Sequence, residues 1–302
     1  MPDNNYMHSK KSFWISFAVS MLYLIVGFAF LHFGWAEYGW VIFVALPVAI
    51  GTATGFVSIK KIGLFGLLLA LVSFFCFLLF SQLEGFLCVL CATPIFLVPF
   101  FLGRWISILI AKYLYKKQAR TIKVSLLPLL IVVLAIPVEN AMISEPVVEI
   151  QATSRILPYS PEQVYDAIKS VDTLDVEKPW LMHLNLPIPY KCILEKEEVG
   201  GLRTCYFEGG RIIEQVTAIE RGKHLKMDVI DYELTGRKWL GFKEAIYEFE
   251  KVGQDSCRIT RITTYTSELK PRAYWQPLEE LGIQQEHQFV LDNLEKDLKS
   301  TN

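Results

Sequence analysis

The chain has 302 residues, 52% hydrophobic and 20% charged, with a formal charge of −1 and a mean hydropathy of +0.33. This is too apolar for an ordinary soluble enzyme, and it excludes a disordered chain or a small disulfide scaffold. The near-zero charge conceals two unlike halves, since residues 1–144 hold 10 Lys/Arg against 4 Asp/Glu and residues 145–302 hold 20 against 27; the large polar half is acidic, which excludes a basic nucleic-acid binder.

Residues 13–33 run without a charge, long enough at roughly 1.5 Å per residue to cross a hydrocarbon core of about 30 Å. Residues 40–59, 62–80 and 86–103 repeat the signal, and 124–138 form a shorter fifth stretch containing Pro128 and Pro137. A removable signal peptide has one short apolar region, so it does not explain this array. The sequence therefore predicts an all-α transmembrane domain of about five helices over 1–144.

The connecting segments alternate in charge. Lys10 and Lys11 precede the first stretch, Lys60 and Lys61 join the second and third, and Lys112, Lys116, Lys117, Arg120 and Lys123 join the fourth and fifth. Glu37, Glu84, Glu139 and Glu145 fall on the opposite side. The positive-inside rule then predicts a cytoplasmic N-terminus and an extracytoplasmic C-terminal half. That orientation depends on an odd number of crossings and turns on the short fifth stretch.

Within these spans Gly51 and Gly55 form a GxxxG, which serves either packing inside the chain or a homodimer. Arg104 near the inner end of the fourth span suits a snorkelling anchor better than an ion pathway. Cys88 and Cys91 share a helical face near Glu84, but without His or a second Cys pair they favour packing over a metal or redox site. Paired broken helices of the kind that mark a transport route are not evident.

From residue 145 the composition changes. Residues 147–157 alternate as a strand, and Ser160 followed by Pro161 reads as a helix start. Three prolines between 179 and 189 break any regular element. Strands at 190–199, 202–208, 211–220, 223–233, 242–252 and 257–266 are separated by short turns and predict an antiparallel meander. A long helix over 277–298 presents Ile283, Val290, Leu291, Leu294 and Leu298 as one stripe that must bury itself against the sheet. Strand, helix, six strands and long helix together predict an α+β domain over 145–302, a curved sheet around a C-terminal helix.

The segments ILPYSPEQV at 156–164, VGGLRTCYFEGG at 199–210, IIEQVTAI at 212–219 and the ending from 258 to 294 resemble the START-like, or SRPBCC, superfamily, nearest its polyketide cyclase and lipid-transport group. The resemblance covers the last half of the chain and rests on pattern and element order. It implies a helix-grip fold with an apolar cavity, and ligands such as lipids, sterols or polyketides. The multi-span N-terminal half departs from the family's familiar soluble members.

His287 falls on the buried stripe of the last helix, either as a general base or ligand contact or as a satisfied core histidine. Glu214 alternates with Ile212 and Val216, and if inward it needs a partner, for which Arg203, Arg211, Arg261 and His287 are candidates. Trp180, His183, Tyr232, Tyr265, Tyr274 and Trp275, together with His287, are the candidate ligand-lining set, weighed against ordinary core packing. Residues 179–189 are the candidate gate. Cys192 and Cys205 flank Gly200 and Gly201, but a turn centred there sets Cys192 opposite Glu208 or a close neighbour, so no bridge between them is expected.

The five histidines make no metal spacing, and no HExxH, GxSxG, GxGxxG or Walker loop occurs, so no cofactor is expected. The reading is a membrane-anchored domain binding an apolar or amphipathic small molecule or lipid, with membrane lipids as partners, no nucleic acid, and a homodimer through Gly51 and Gly55 as an option. The alternatives are a cyclase or hydrolase using His287 and Glu214 as acid and base, and a non-catalytic structural or regulatory module.

Overall fold

The structure, a computed structural model, describes residues 3–57, 61–114, 122–142, 145–184, 186–234 and 239–301. Lys60, Lys116, Lys117 and Arg120 lie outside the described residues. The chain divides into two compact units. One comprises Met1–Glu84, Cys88–Glu145 and Glu268–Tyr274, and the other Gly85–Leu87, Pro146–Ser267 and Trp275–Asn302.

The first unit is all-helical: α1 (Asp3–His32), a π-helical turn at Val41–Ala45 leading into α2 (Leu46–Val57), α3 (Lys61–Phe80), α4 (Phe86–Leu114) and α5 (Ile122–Met142). Four segments are long and apolar enough to cross a membrane, Lys10–His32, Lys61–Phe80, Phe86–Ile110 and Ser125–Met142. A helix suits such sequences because its backbone hydrogen bonds are satisfied internally. The expectation about which stretch is shortest is corrected. The fifth forms a 21-residue helix, and the short one is the second, Val41–Val57.

Two details define the packing. The Tyr23 hydroxyl inserts into the α5 ladder, donating to the Ser125 carbonyl at 2.5 Å and accepting from the Leu129 N–H at 3.0 Å, next to Pro128, which itself has no N–H to give. A Cβ on Gly51 would collide with the Phe100 carbonyl, and one on Gly55 with the Ser107 hydroxyl. The GxxxG face is therefore occupied by α4 of the same chain. This is packing inside the chain, one of the two readings of the GxxxG.

The second unit is the α+β helix-grip fold that the sequence predicts. Its elements are β1 (Val147–Leu157), α6 (Pro161–Ile168), a 3-10 turn (Trp180–Leu184), β2 (Pro189–Leu194), β3 (Leu202–Phe207), β4 (Gly210–Glu220), β5 (His224–Leu234), β6 (Leu240–Lys251), β7 (Cys257–Ser267) and α7 (Arg272–Thr301). The strands form one antiparallel sheet in the order β1-β7-β6-β5-β4-β3-β2. Ser160 caps α6, with its hydroxyl accepting from the Gln163 N–H and the Gln163 side chain accepting from the Ser160 N–H at 2.9 Å, a reciprocal capping box.

Alternation decides the sheet's faces. Leu225, Met227, Ala245, Tyr247, Phe249, Cys257 and Ile259 are buried and meet Phe289, Val290, Leu291, Leu294 and Leu298 from the last three turns of α7. The helix stripe thus buries itself as its spacing predicts at Val290, Leu291, Leu294 and Leu298, joined by Phe289, while Ile283 is half-buried and outside this cluster. Burying each such aliphatic or aromatic side chain is worth about 1.5–3 kcal/mol.

The hairpin at β2–β3 differs from expectation. Cys192 pairs directly with Cys205, and the two form a disulfide across 13 positions of sequence. Residues 195–201 form a longer connection than a two-residue turn at Gly200 and Gly201. This shifts the register so that the thiols meet.

Candidate functional site

The core described above fills only one end of the grip. Moving along the inner face toward the other end, β7 presents Arg261, Thr263, Tyr265 and Ser267 by alternation. Arg261 lies beside Tyr247 on β6, and Phe242 beside Tyr265. On β4 the inward residues are Ile212, Glu214 and Val216, with Arg203 of β3 opposite Glu214. Glu214 therefore faces inward, which sequence alone left open.

These residues form a polar belt between sheet and helix. Arg203 Nη1 donates to Glu214 Oε2 at 2.8 Å, and both side chains are almost fully buried, 3% and 8% exposed. Arg203 also donates to the Lys169 carbonyl at 3.1 Å from Nε, which ties β3 to the end of α6. Arg261 Nη2 donates to Glu286 Oε1 of α7 at 2.9 Å, with side-chain exposures of 12% and 16%. The Tyr247 ring lies within reach of both guanidiniums, 5.7 Å from Arg203 and 5.6 Å from Arg261, in the range of a cation–π contact.

Burial pushes the Glu286 carboxyl above its ordinary value against the opposing pull of Arg261. Arg261 Nε and Nη1 are buried with no hydrogen-bond partner among the described residues. Leaving a buried donor unmatched costs on the order of 1–3 kcal/mol, more for a charged group. A fixed interior without any use for this guanidinium would be expected to supply it with acceptors.

His287 is fully buried. Its Nδ1 lies 3.0 Å from the Thr153 hydroxyl of β1 and its Nε2 2.8 Å from the Thr263 hydroxyl of β7. One ring nitrogen donates and the other accepts, since a neutral imidazole has one of each. Burial, reinforced by the positive charge of Arg261, lowers its pKa to about 2. The ring is neutral near pH 7 and both its nitrogens are engaged.

Beyond the belt the inner face is aromatic. Tyr265 and Trp275 are buried, Tyr232 stacks edge-on against Phe242 at 6.1 Å, and Tyr232 keeps 40% exposure. Glu279 of α7 accepts from the Ser267 hydroxyl at 2.7 Å. Gly282 lies between Glu279 and Glu286 on α7, and a Cβ placed there would meet nothing within 4 Å. Gly282 lies one turn before Glu286, so this space is beside the Arg261–Glu286 pair.

The strand register puts Tyr265 and Tyr232 on this inner face, His287 lies beside Thr263, and Arg203, Glu214 and Arg261 join them; Trp275, at the start of α7, is buried. Trp180 is 62% exposed and His183 is exposed, both on the 3-10 turn. Tyr274 belongs to the helical unit, where its hydroxyl donates to the Cys91 carbonyl at 2.6 Å. Arg211 instead faces Glu233 at the surface, 3.8 Å away. Sequence reasoning missed Glu286 and Tyr247. The former was detectable as a carboxylate one turn from Ile283 and Val290, and the latter had no signal beyond strand alternation.

The class that this architecture defines is a helix-grip α+β domain carried by a unit of apolar helices. No protein-family model matches the chain, and no curated protein does. Solved structures are similar over about half of it. A START superfamily protein from Mycobacterium smegmatis is 12% identical, covering 51% of this chain and 99% of its own, with a TM-score of 0.38. Norcoclaurine synthase from Thalictrum flavum, solved with dopamine and hydroxybenzaldehyde, is 17% identical over 52% of this chain and 90% of its own, TM-score 0.36. A protein from Arthrobacter aurescens is 21% identical over 49% and 85%, TM-score 0.35.

Proposed function

We propose that the helix-grip unit is an extracytoplasmic receptacle for an apolar or amphipathic small molecule, held at a membrane by the apolar helices. The observation that carries this reading is the divided interior, solid and apolar at one end and, at the other, a polar belt beside aromatic residues and open space at Gly282. Pockets for such ligands are largely apolar with a few placed polar groups. A neutral His287 with both nitrogens engaged favours binding over acid–base catalysis. Tethering then raises the effective concentration of a membrane-derived ligand at the receptacle.

The charge pattern supports the orientation. Val41–Val57 is the shortest apolar helix, about 25 Å long at roughly 1.5 Å per residue, which is near the lower limit for a span. If it did not cross, the basic segment at 112–123 would lie opposite Lys10 and Lys11, against the positive-inside rule. The Cys192–Cys205 disulfide agrees with an oxidising compartment.

The test is native mass spectrometry of the full chain in nanodiscs drawn from the expressing membrane, followed by extraction of what stays bound. A retained species of defined mass is the expected result. No retained species, together with no displacement of an apolar fluorescent probe, overturns the reading.

A further inference from the structure

Resting on that reading, we propose that the ligand is an amphiphile with a carboxylate head, received by Arg261 at the polar belt, with its apolar body along Tyr265, Phe242 and Tyr232. The belt contains two arginines in unequal circumstances. Arg203 donates to Glu214 and to the Lys169 carbonyl and is nearly sealed. Arg261 has one acceptor, Glu286, while its Nε and Nη1 have none among the described residues. A guanidinium carries five N–H donors in a fork that matches a carboxylate, so Arg261 offers more than Glu286 takes.

No neighbour in the belt supplies the missing acceptors. Both nitrogens of His287 are taken by Thr153 and Thr263, and Glu214 is held by Arg203. Tyr247 offers Arg261 its ring, which attracts the cation without accepting all its hydrogens. The Arg261–Glu286 pair also keeps 12% and 16% exposure, whereas the Arg203–Glu214 pair keeps 3% and 8%, so the incompletely satisfied pair is the less sealed of the two, with its unmatched donors facing inward. Gly282, one turn before Glu286, leaves space beside it. Burial disfavours the charged form of the Glu286 carboxyl, so Arg261 is not fully matched in charge by its one partner. A neutral head offers weaker acceptors to the same guanidinium, and a cationic head meets repulsion.

The experiment uses the full chain in phosphatidylcholine nanodiscs and two photoprobes with the same diazirine-bearing twelve-carbon tail, one ending in a carboxylate and one in an alcohol. Labelled peptides from residues 145–302 are quantified by mass spectrometry. The carboxylate should label at least tenfold more than the alcohol. Arg261→Met should abolish the carboxylate's advantage, so that the two probes label equally, and Glu286→Gln should raise carboxylate labelling severalfold. Equal labelling by the two probes in the unmodified chain overturns the proposal while leaving the receptacle in place, and this comparison needs no variant to fold. Absence of labelling by either probe overturns the receptacle itself.

Discussion

Arg203 on β3 and Glu214 on β4 stand directly opposite each other in the strand register and form an ion pair of 2.8 Å inside the domain. Neither charge has water to return to, so the pair behaves as a unit. Arg203→Met leaves an uncompensated buried carboxylate and should cost about 3–5 kcal/mol, lowering the melting temperature by about 6 to 20 °C. The double variant Arg203→Met with Glu214→Leu should recover most of this, because two apolar groups fill the site without a stranded charge. Thermal unfolding of the three proteins followed by intrinsic fluorescence measures it. A double variant no better than the single would place the loss in packing against Tyr247 instead of in charge.

The neutral His287 makes a pH prediction. In the unfolded chain the ring takes up a proton near its ordinary value of 6.5, whereas in the fold burial, aided by the Arg261 charge, delays this to about 2. The unfolded state therefore binds more protons between these values, so this contribution to stability is complete above pH 6.5 and declines as the pH falls, by about 1.4 kcal/mol per unit. At pH 4.5 the loss is about 3 kcal/mol. Glu286, whose carboxyl is raised by burial, acts in the opposite sense, so the clean readout is the difference between the unmodified chain and His287→Gln. That difference should narrow as the pH falls from 7.5 to 4.5, and a constant difference would contradict a depressed histidine.

How much of this was legible beforehand follows from what each feature depends on. Alternation at Ala245, Tyr247 and Phe249 fixes β6, and Ser160 with Pro161 fixes the start of α6, because both are local properties. The face of Glu214 was not legible, since alternation says which residues share a face without saying which face is inside. The register of Cys192 and Cys205 depends on the length of the connection at 195–201, which two adjacent glycines misrepresented. Helix α7 begins at Arg272, ahead of Pro277, so the proline lies in its second turn, where it forfeits one bond to the Ala273 carbonyl without ending the helix. The Arg261–Glu286 pair joins a strand to a helix 25 positions later, a coincidence in space with no trace in local spacing.

The disulfide predicts a chemical difference among the C-terminal cysteines. Cys192 and Cys205 should appear as one linked peptide pair in a non-reducing digest of protein taken from its native membrane. Cys257 is a free, buried thiol whose pKa burial pushes up to about 11, so it should resist alkylation until the domain unfolds. Replacing Cys192 and Cys205 by alanine removes a cross-link over 13 positions and should destabilise the domain by about 3 kcal/mol. Alkylation of Cys192 in the unreduced native protein would refute the bridge and remove one support for the extracytoplasmic orientation.

Gly51 gives the last prediction, for the helical unit. The closest atoms to a Cβ at that position belong to the α4 backbone at Phe100 and Arg104, and backbone cannot rotate aside as a side chain can. Thr52 also donates to the Gly103 carbonyl at 3.2 Å, so α2 and α4 meet closely over two turns. Gly51→Ala must separate these helices or distort one of them, at a cost of about 1–3 kcal/mol typical of overpacking, and Gly51→Leu should cost more. Detergent-solubilised protein should lose thermal stability in that order while its molar mass by light scattering stays the same, because the face that the glycines open is filled within one chain. A fall in molar mass with retained stability would move the glycines to a contact between copies and reverse the assignment of α4 as their partner.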